Sequence, residues 1–493
     1  MALEFVKNIA RRIRGVFANN FMRSIADVAQ DKNIISDKMM ETIDLWLEMY
    51  GDNSPWLRSD SRSLVLPAII ASEVARSVTL EMKVKITGSP MADFIAKQFE
   101  LVLKDIRPNV EYACAGGGIV FKPYICRDGI TTEIIHANAF YPIAFNNAQE
   151  ITGAYFIYRH WDGRKVYSRL EKHELEGTTY TVTNTAYVSA TEQALGKPCE
   201  LSEVAAWAEI EPKVVIHDIE TPLFSYFKIP LGNVVDKDSP LGVSVYARAV
   251  GLIQDADDQY QSLLWEYKGG ELAIDASDDA FMRVNGEPML PKGKERLYRT
   301  NNLDSANVSG DNLMKAWAPQ LRDANYMSGL NRVLIQIEDA CCLSRGTLSD
   351  PSEVEKTATE MNAMKQRSYA TVSDIQKSLE NALRRLAYAM RCLAYLYELC
   401  PDGEYEMNFV WDDSIIVDAE TERTRDQQEV SQGLMMKWEY RMKWYGEDEA
   451  TARLKVNELD GATPDQILGF DNPPKPSDND NKEEEDEDGP PKE

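Results

Sequence analysis

Three aspartates, Asp255, Asp257 and Asp258, are the residues of this sequence whose type and spacing come nearest to a catalytic group. Carboxylates grouped in this way hold divalent metal ions in nucleases. The surrounding apolar residues recur with helical spacing, and on a helix positions 255 and 258 share a face while position 257 points elsewhere. The pattern therefore favours a solvated or pore-facing acidic stripe and leaves a shared metal site as the alternative.

Other catalytic motifs are missing or stand in the wrong context. The sequence has no GxxxxGK[ST] loop for a nucleoside triphosphate, and its four histidines never take HExxH spacing. A Gly-Gly-Gly run at 116–118 precedes a strand pattern, which predicts a turn into a sheet and not a dinucleotide site. Ser244 lies in GVSVY, without the second glycine of a nucleophile elbow. We therefore predict no enzymatic activity, no metal and no cofactor.

The charge of the chain is strongly acidic. Its 493 residues carry a formal charge of −26, of which the segment after Phe470 supplies −7 through ten acidic residues and three lysines. The remainder, near −19, argues against a sequence-reading DNA-binding protein, because such proteins are normally basic on the contacting face. An acidic surface along which DNA slides without sticking remains compatible with this charge.

The cysteines and the hydropathy of the sequence indicate the cellular compartment and the relation to membranes. Of seven cysteines only Cys341 and Cys342 are adjacent and no CxxC occurs, which indicates reduced thiols in a cytoplasmic setting. No run of about 18 apolar residues occurs, so no transmembrane span is expected. Residues 1–25 have the pattern of a basic amphipathic helix, and packing on the protein body is favoured over a membrane-surface role.

The elements that position these residues begin with helices and continue with a sheet. Helical spacing is found over 36–50 and 62–80, and Pro90 stands just inside a third helix. From Gly116 the period changes to two and continues to about Phe227, with Asp-Gly turns at 128–129 and 162–163 and a short helical interruption at 202–207. The sequence therefore predicts an α+β fold with an antiparallel sheet.

Two helical stretches then bracket an irregular insert. The first opens at 240–242 and runs to 267, and the second covers 323–342. The residues between them contain several glycines and prolines, which predicts a small β-containing excursion. The arrangement predicts a hairpin of two helices with the small β-containing insert at its tip.

The longest helical pattern covers 352–400. Ser352 with Glu355 predicts a capping box, and Pro401 with Gly403 ends the run. About 44 residues at 1.5 Å each would make a rod of about 65 Å, which is long for one small domain. A strand at 405–411 is predicted to return to the sheet, and residues 418–459 predict short helices broken near two glycines. The acidic segment 477–493 is predicted to be disordered and dispensable for assembly.

The order of these parts resembles the portal proteins of tailed bacteriophages, especially the long-tailed phages of Gram-positive bacteria. The similarity extends to about Leu459 and leaves out the basic start and the acidic tail, regions that the family does not specify. The blocks that carry it are LGVSVYARAV at 241–250, LLWEYKGGELAIDAS at 263–277, GTLSD at 346–350, KTATEM at 356–361 and KQRSYATVSDIQKSLENAL at 365–383.

The resemblance implies a ring of twelve subunits at one capsid vertex, serving as the channel for DNA packaging and ejection. It implies contacts with the large terminase subunit, a head-tail adaptor, and the major capsid and scaffolding proteins. Double-stranded DNA would pass without sequence specificity, in the virion and, during assembly, in the host cytoplasm, with no membrane role. The implied parts are a wing over 1–240, a first stem helix over 241–267, a clip over 268–322, a second stem helix over 323–342, a tunnel loop over 343–356, a spine helix and returning wing strand over 357–417, a crown over 418–460 and an acidic tail over 461–493.

The tunnel loop is the site that the resemblance implies, projecting into the DNA channel. Without the resemblance, the same segment reads as a turn between two helices. Two other functions remain alternatives: a metal-dependent DNA-processing enzyme using Asp255, Asp257 and Asp258, and a head-tail adaptor ring, although adaptors are usually far shorter. The implied channel residues are Arg345, Gly346, Thr347, Asp350, Glu353, Glu355 and Lys356.

Overall fold

A computed structural model describes residues 35–461 of the chain, except for 81, 127–128, 192–193, 278–282, 285–286, 289–297, 302–313, 318, 351–357 and 412–418. The described residues divide into two compact units, one within 1–412 and one within 413–493. Helices and mostly antiparallel sheets are mixed along the chain, in agreement with the predicted α+β class. The predicted basic helix at 1–25 and the acidic tail lie outside the described residues.

The first unit opens with helices, as the sequence predicts. Ser36 accepts a hydrogen bond from the Met39 backbone N–H at 3.3 Å, and Ser89 caps a helix that has Pro90 in its first turn. Their apolar faces join one core with the sheets and later helices. The bounds are α1 Asp37–Tyr50, α2 Leu66–Thr79, α3 Pro90–Lys104 and α4 Ile106–Gly116.

Two antiparallel sheets follow α4. Gly117, with φ of 90°, ends α4 in the left-handed conformation, so the glycine run makes the predicted turn into a sheet. One sheet has the order β10-β2-β3, and the other has the order β4-β5-β6-β7-β8 with β9 paired to β7. At both predicted turns the flanking strands pair as hairpins, β2 with β3 and β5 with β6, although residue 128 lies outside the described residues. The strands are β2 Gly118–Cys126, β3 Gly129–His136, β4 Phe140–Phe145, β5 Ile151–Asp162, β6 Lys165–Glu176, β7 Thr179–Ser189, β8 Lys197–Cys199, β9 Lys213–Ile216 and β10 Ser225–Lys228.

The strand near residue 405 pairs elsewhere than predicted. β16, Tyr405–Val410, lies antiparallel to β1, Lys83–Gly88, and forms a separate two-stranded sheet. The expected return to the main sheet was therefore wrong. Ile86 and Met407 are paired and both are buried, so β1 contributes one apolar residue to the core and is otherwise largely exposed. A single inward residue is too weak a pattern to reveal a strand from sequence.

The helix predicted to open at 240–242 begins later, at Val250, because tertiary contacts hold the preceding residues in turns. The Ser244 hydroxyl donates to the Cys114 carbonyl at 3.2 Å. Gly242 packs so closely on Gly117 that a Cβ at 242 would lie 2.1 Å from the Gly117 carbonyl oxygen. The prediction for 241–249 was wrong because these partners lie more than a hundred residues earlier in the chain.

The two helices around the insert run antiparallel. Glu266 near the end of α5, Val250–Gly269, bonds Arg322 at the start of α6, Asp323–Ala340. Gln259 lies against Gly329 at the middle of the pair. Small strands form between them, as the irregular pattern predicts: β11 Ala273–Ser277 pairs with β14 Tyr298–Asn301 and β15 Met314–Trp317, and β12 Arg283–Val284 pairs with β13 Glu287–Pro288.

The long helix is α7, Ala358–Leu396, whose 39 residues span about 58 Å at 1.5 Å each. Its apolar stripe, from Ile375 to Met390, is fully buried in the core. A hydroxyl group connects α7 to β10: the half-buried Ser378 donates to the Lys228 carbonyl at 2.6 Å. The predicted capping box at 352–355 lies outside the described residues.

The second unit consists of short helices, and the two predicted breaks are confirmed. Gly433 and Gly446 have φ of 75° and 64°, the left-handed conformation that favours glycine. Asp426 holds the unit together by accepting from Trp444 Nε1 at 2.8 Å. The helices are α8 Ala419–Ser431, α9 Lys437–Tyr445 and α10 Glu449–Gly461. Within the described ranges, no helix has the length and apolar character of a membrane span.

Candidate functional site

The loop after α6 is organised by one buried carboxylate. Glu338 is fully buried on the face of α6 that also carries Ile337. Its Oε1 accepts from the Leu348 backbone N–H at 2.5 Å and from the Ser349 N–H at 2.8 Å. Its Oε2 accepts from the Ser349 hydroxyl at 2.8 Å and from the Gly346 N–H at 3.3 Å. Four donors on one carboxylate provide the compensation that a buried charge requires.

The backbone around Glu338 reverses direction within a few residues. Cys342, two residues after the end of α6, has φ of 58°, and Gly346 follows with φ of 86°. The Asp350 N–H donates to Asn331 Oδ1 at 2.7 Å, and Asn331 lies about two turns before Glu338 on α6. Residues 341–350 therefore fold back along α6 and form a structured turn in this part of the loop.

Three of the channel residues proposed from the sequence lie on the outside of this turn. Arg345, Thr347 and Asp350 are exposed. Arg345 forms a bidentate ion pair with Asp339, at 2.8 and 3.2 Å, and this hydrogen bonding raises the pKa of its guanidinium. Gly346 provides the backbone geometry on the inner side. Glu353, Glu355 and Lys356 lie outside the described residues.

Sequence reasoning missed the two residues that shape the loop. Asn331 and Glu338 are separated by seven positions and share one face of α6, with Leu334 between them. Asn331 is 8% and Glu338 0% exposed. Polar residues within the apolar stripe of a helix were the available signal, because such positions require a hydrogen-bonding partner from another segment.

The structure separates the three aspartates on α5. Asp257 is buried, and its two oxygens accept from Trp56 Nε1 at 2.9 Å and from the Leu64 N–H at 3.0 Å. Burial raises the pKa of Asp257. Asp255 and Asp258 are exposed on the other side of the helix, as the helical spacing predicts. Asp257 thus anchors α5 to residues 56–64.

The alternative of a metal site shared by all three aspartates therefore lacks the required geometry. Among the described residues, no group of three His, Cys, Asp or Glu side chains is placed to ligate one metal ion. Exposed Asp255 and Asp258 fit the acidic stripe that the sequence favours.

Comparisons with known proteins show only a distant structural similarity. No protein-family model matches the chain, and no curated protein matches it. Among solved structures, it is similar to a chain in the neck of a native GTA particle computed with C12 symmetry, with a TM-score of 0.36 and 10% identity over 82% of this chain and 92% of that chain. At this TM-score, function has to be argued from the residues of the chain itself.

Proposed function

We propose that this protein is the portal protein of a tailed phage, a ring of twelve subunits through which DNA enters and leaves the capsid. In this role it is a structural conduit and not an enzyme, and it uses no cofactor. The observation that carries the proposal is the arrangement of α5, α6 and the loop after them. The sequence blocks that resemble portal proteins lie directly before α5, at its end, in the loop after α6 and on α7, in the order that portal proteins have.

The geometry of the hairpin supports a collar around a channel. The base of the insert lies at the Glu266 and Arg322 end of the antiparallel pair, and the turn at 341–350 lies at the opposite end. α6 has 18 residues and is about 27 Å long at 1.5 Å each. One end can thus contact a packaging motor or an adaptor while the other approaches DNA.

The exposed charges of α5 support passage of DNA without tight binding. Asp255 and Asp258 project from the hairpin away from the core. Each phosphate that a protein neutralises adds salt-dependent affinity, which would slow sliding. A chain of formal charge −26 suits a conduit that releases the polyanion at every step.

The partners and location follow from this role. We assign residues 268–322 to contacts with the large terminase subunit and, later, the head-tail adaptor. Major capsid and scaffolding proteins would surround the ring, and double-stranded DNA would pass without sequence specificity. The protein would act in the virion, after assembly in the host cytoplasm, without a membrane.

The test combines native mass spectrometry of the purified full chain with a plasmid assay in magnesium. We expect closed rings near twelve copies and an intact plasmid. A stable monomer at micromolar concentration would contradict the ring. Plasmid cleavage that disappears in Asp255→Ala, but persists in the matched surface variant Asp93→Ala, would instead favour the metal-dependent enzyme.

A further inference from the structure

A cavity of about 150 Å³ lies between α7, β10 and the turn from β4 to β5. From α7 it is lined by Ser378, Asn381, Ala382 and Arg385. These positions differ by three, four and seven, so they form one stripe along the helix. The cavity is thus built from three segments that are far apart in the sequence and packed against a buried core.

Lys228 at the end of β10 supplies a positive charge to this cavity. Its main-chain carbonyl is fixed by the Ser378 hydroxyl at 2.6 Å, which places the side chain beside α7. Burial lowers the pKa of Lys228. Within the described residues, its ammonium group has no carboxylate partner. A half-buried lysine in this state is stabilised by any anion that enters.

Arg385 and Glu150 form an ion pair in the wall of the same cavity. The Arg385 guanidinium bonds Glu150, whose other oxygen accepts from Asn146 Nδ2 at 3.0 Å. A hydrogen bond from Asn146 and the charge of Arg385 keep the pKa of Glu150 below its usual range, although burial opposes them. With Glu150 ionised, the two cations and one anion leave the cavity with a net charge of one positive unit.

A hydroxyl group in the same wall lacks a partner. Thr221 Oγ1 is buried and forms no hydrogen bond within the described part of the chain. Buried hydroxyls normally find a partner, because leaving one unsatisfied costs stability. Thr221 lines the cavity together with the apolar side chains of Pro222 and Phe224.

We propose that this cavity binds a carboxylate group carried on a short aliphatic stem. The Lys228 ammonium is the counter-ion, and the Thr221 hydroxyl and the Asn381 amide donate to the carboxylate oxygens. Pro222 and Phe224 contact the stem. This site is separate from the loop after α6, so it stands or falls independently of the portal function.

The charge balance selects a carboxylate over a phosphate group. One negative charge neutralises the net charge of the cavity, whereas a phosphate dianion would leave an excess negative charge beside Glu150. A carboxylate also has four lone-pair positions for the donors around it. The group has two possible sources, a free small acid and an acidic protein segment such as residues 483–488 of this chain.

The first experiment measures the thermal unfolding midpoint of the full chain in sodium glutarate and in sodium chloride of equal ionic strength. We expect glutarate to raise the midpoint. In Lys228→Met, which retains the stem, we expect the shift to disappear and the dissociation constant to rise about tenfold or more. Lys377→Met on the exposed side of α7 is the control and should keep the shift. An equal shift in Lys228→Met would overturn the site.

A second variant tests the site with a substitution that is expected to leave the protein folded. Thr221→Val replaces the hydroxyl by a methyl group of similar volume, so the unliganded protein should unfold at a temperature equal to or above that of the wild type. Its glutarate shift should be smaller. A lower unfolding temperature without ligand, together with an unchanged shift, would contradict the assigned role of the hydroxyl.

The source of the carboxylate is distinguished by fluorescence anisotropy with a labelled peptide of residues 481–489. Peptide binding that glutarate displaces, and that Lys228→Met removes, supports the site with an acidic segment as its ligand. Glutarate binding without peptide binding supports the site with a small acid. If neither glutarate nor the peptide binds at millimolar concentration, the proposal is overturned.

Discussion

Ser349 is held to Glu338 by two hydrogen bonds, one from its backbone N–H to Oε1 and one from its hydroxyl to Oε2, both at 2.8 Å. The pair connects a loop residue to a fully buried helix residue eleven positions earlier in the chain. We therefore expect the conformation of the turn at 341–350 to depend on this carboxylate. A substitution at Glu338 should therefore change the conformation of the loop without altering any of its exposed side chains.

We expect Glu338→Gln to destabilise the protein. The glutamine amide nitrogen cannot accept, so at least one of the four donors loses its partner in a buried site, at a cost of about 1 to 3 kcal/mol. The midpoint of urea unfolding checks this. Asp339→Asn, at the exposed neighbouring pair with Arg345, should cost less than about 1 kcal/mol. Equal costs for the two variants would contradict the anchoring role of Glu338.

Gly346→Ala tests the loop in DNA packaging. Alanine is strained at φ of 86°, by about 1 kcal/mol or more, and the strain bears on a residue whose N–H bonds Glu338. We expect rings to assemble and DNA packaged per particle to fall. Gly177→Ala introduces the same kind of backbone strain, at φ of 62°, in the turn between β6 and β7, so it is the control and should package normally.

A broader replacement of residues 347–352 by a rigid, bulky segment should act in the same direction as Gly346→Ala. Particles that package the normal amount of DNA after this replacement would remove the loop from the mechanism. The proposed function would then be limited to forming the ring, without a role for the loop in packaging.

Acidification should destabilise the buried polar network between the two main sheets. Glu171 accepts from Lys122 Nζ at 2.8 Å and contacts His173 Nε2 at 2.7 Å. Burial raises the pKa of Glu171, but the bonds from His173 and Lys122 outweigh it and hold the pKa well below its usual range. Burial lowers the pKa of His173.

Both groups therefore take up protons more readily in the unfolded chain. Their contribution to the free energy of unfolding is complete above the pKa values of the unfolded chain. It is lost as pH falls, first below about 6.5 for His173 and then below about 4.3 for Glu171. Thermal unfolding between pH 7 and pH 3 should show the midpoint falling in both parts of this window. Stability that stays constant over this range would contradict the ionised, buried state of the network.

Glu171→Gln should cost about 3 to 5 kcal/mol at pH 7, because it leaves the buried Lys122 without its closest counter-ion. The same strand provides a control. Glu174 pairs with Lys172 at 3.3 Å near the surface, so Glu174→Gln should cost less than about 1 kcal/mol. Chemical denaturation of both variants gives the comparison.

The aspartates of α5 should differ in their effect on stability. Asp257→Ala removes the acceptor for Trp56 and Leu64 and should cost about 1 to 3 kcal/mol. Asp255→Ala changes an exposed residue and should remain within about 0.5 kcal/mol of the wild type. Thermal unfolding of the two variants measures the difference. A large loss of stability in Asp255→Ala would contradict its assignment to the solvated stripe.

The sequence alone determined the features that depend on neighbouring residues. The helical spacing of α7, the proline at the start of α3 and the Asp-Gly hairpin turns each follow from backbone preferences within a few positions. The breaks at Gly433 and Gly446 belong to the same class, because the left-handed conformation is a property of the glycine itself.

Tertiary structure decided the features whose partners lie far along the chain. The start of α5 at Val250 depends on Cys114 and Gly117, and the sheet of β1 and β16 joins segments more than three hundred residues apart. The loop depends on Glu338, and the charged cavity unites Lys228 with Arg385. Local spacing shows that a side chain faces inward, but the group that satisfies it is chosen only when distant segments pack together.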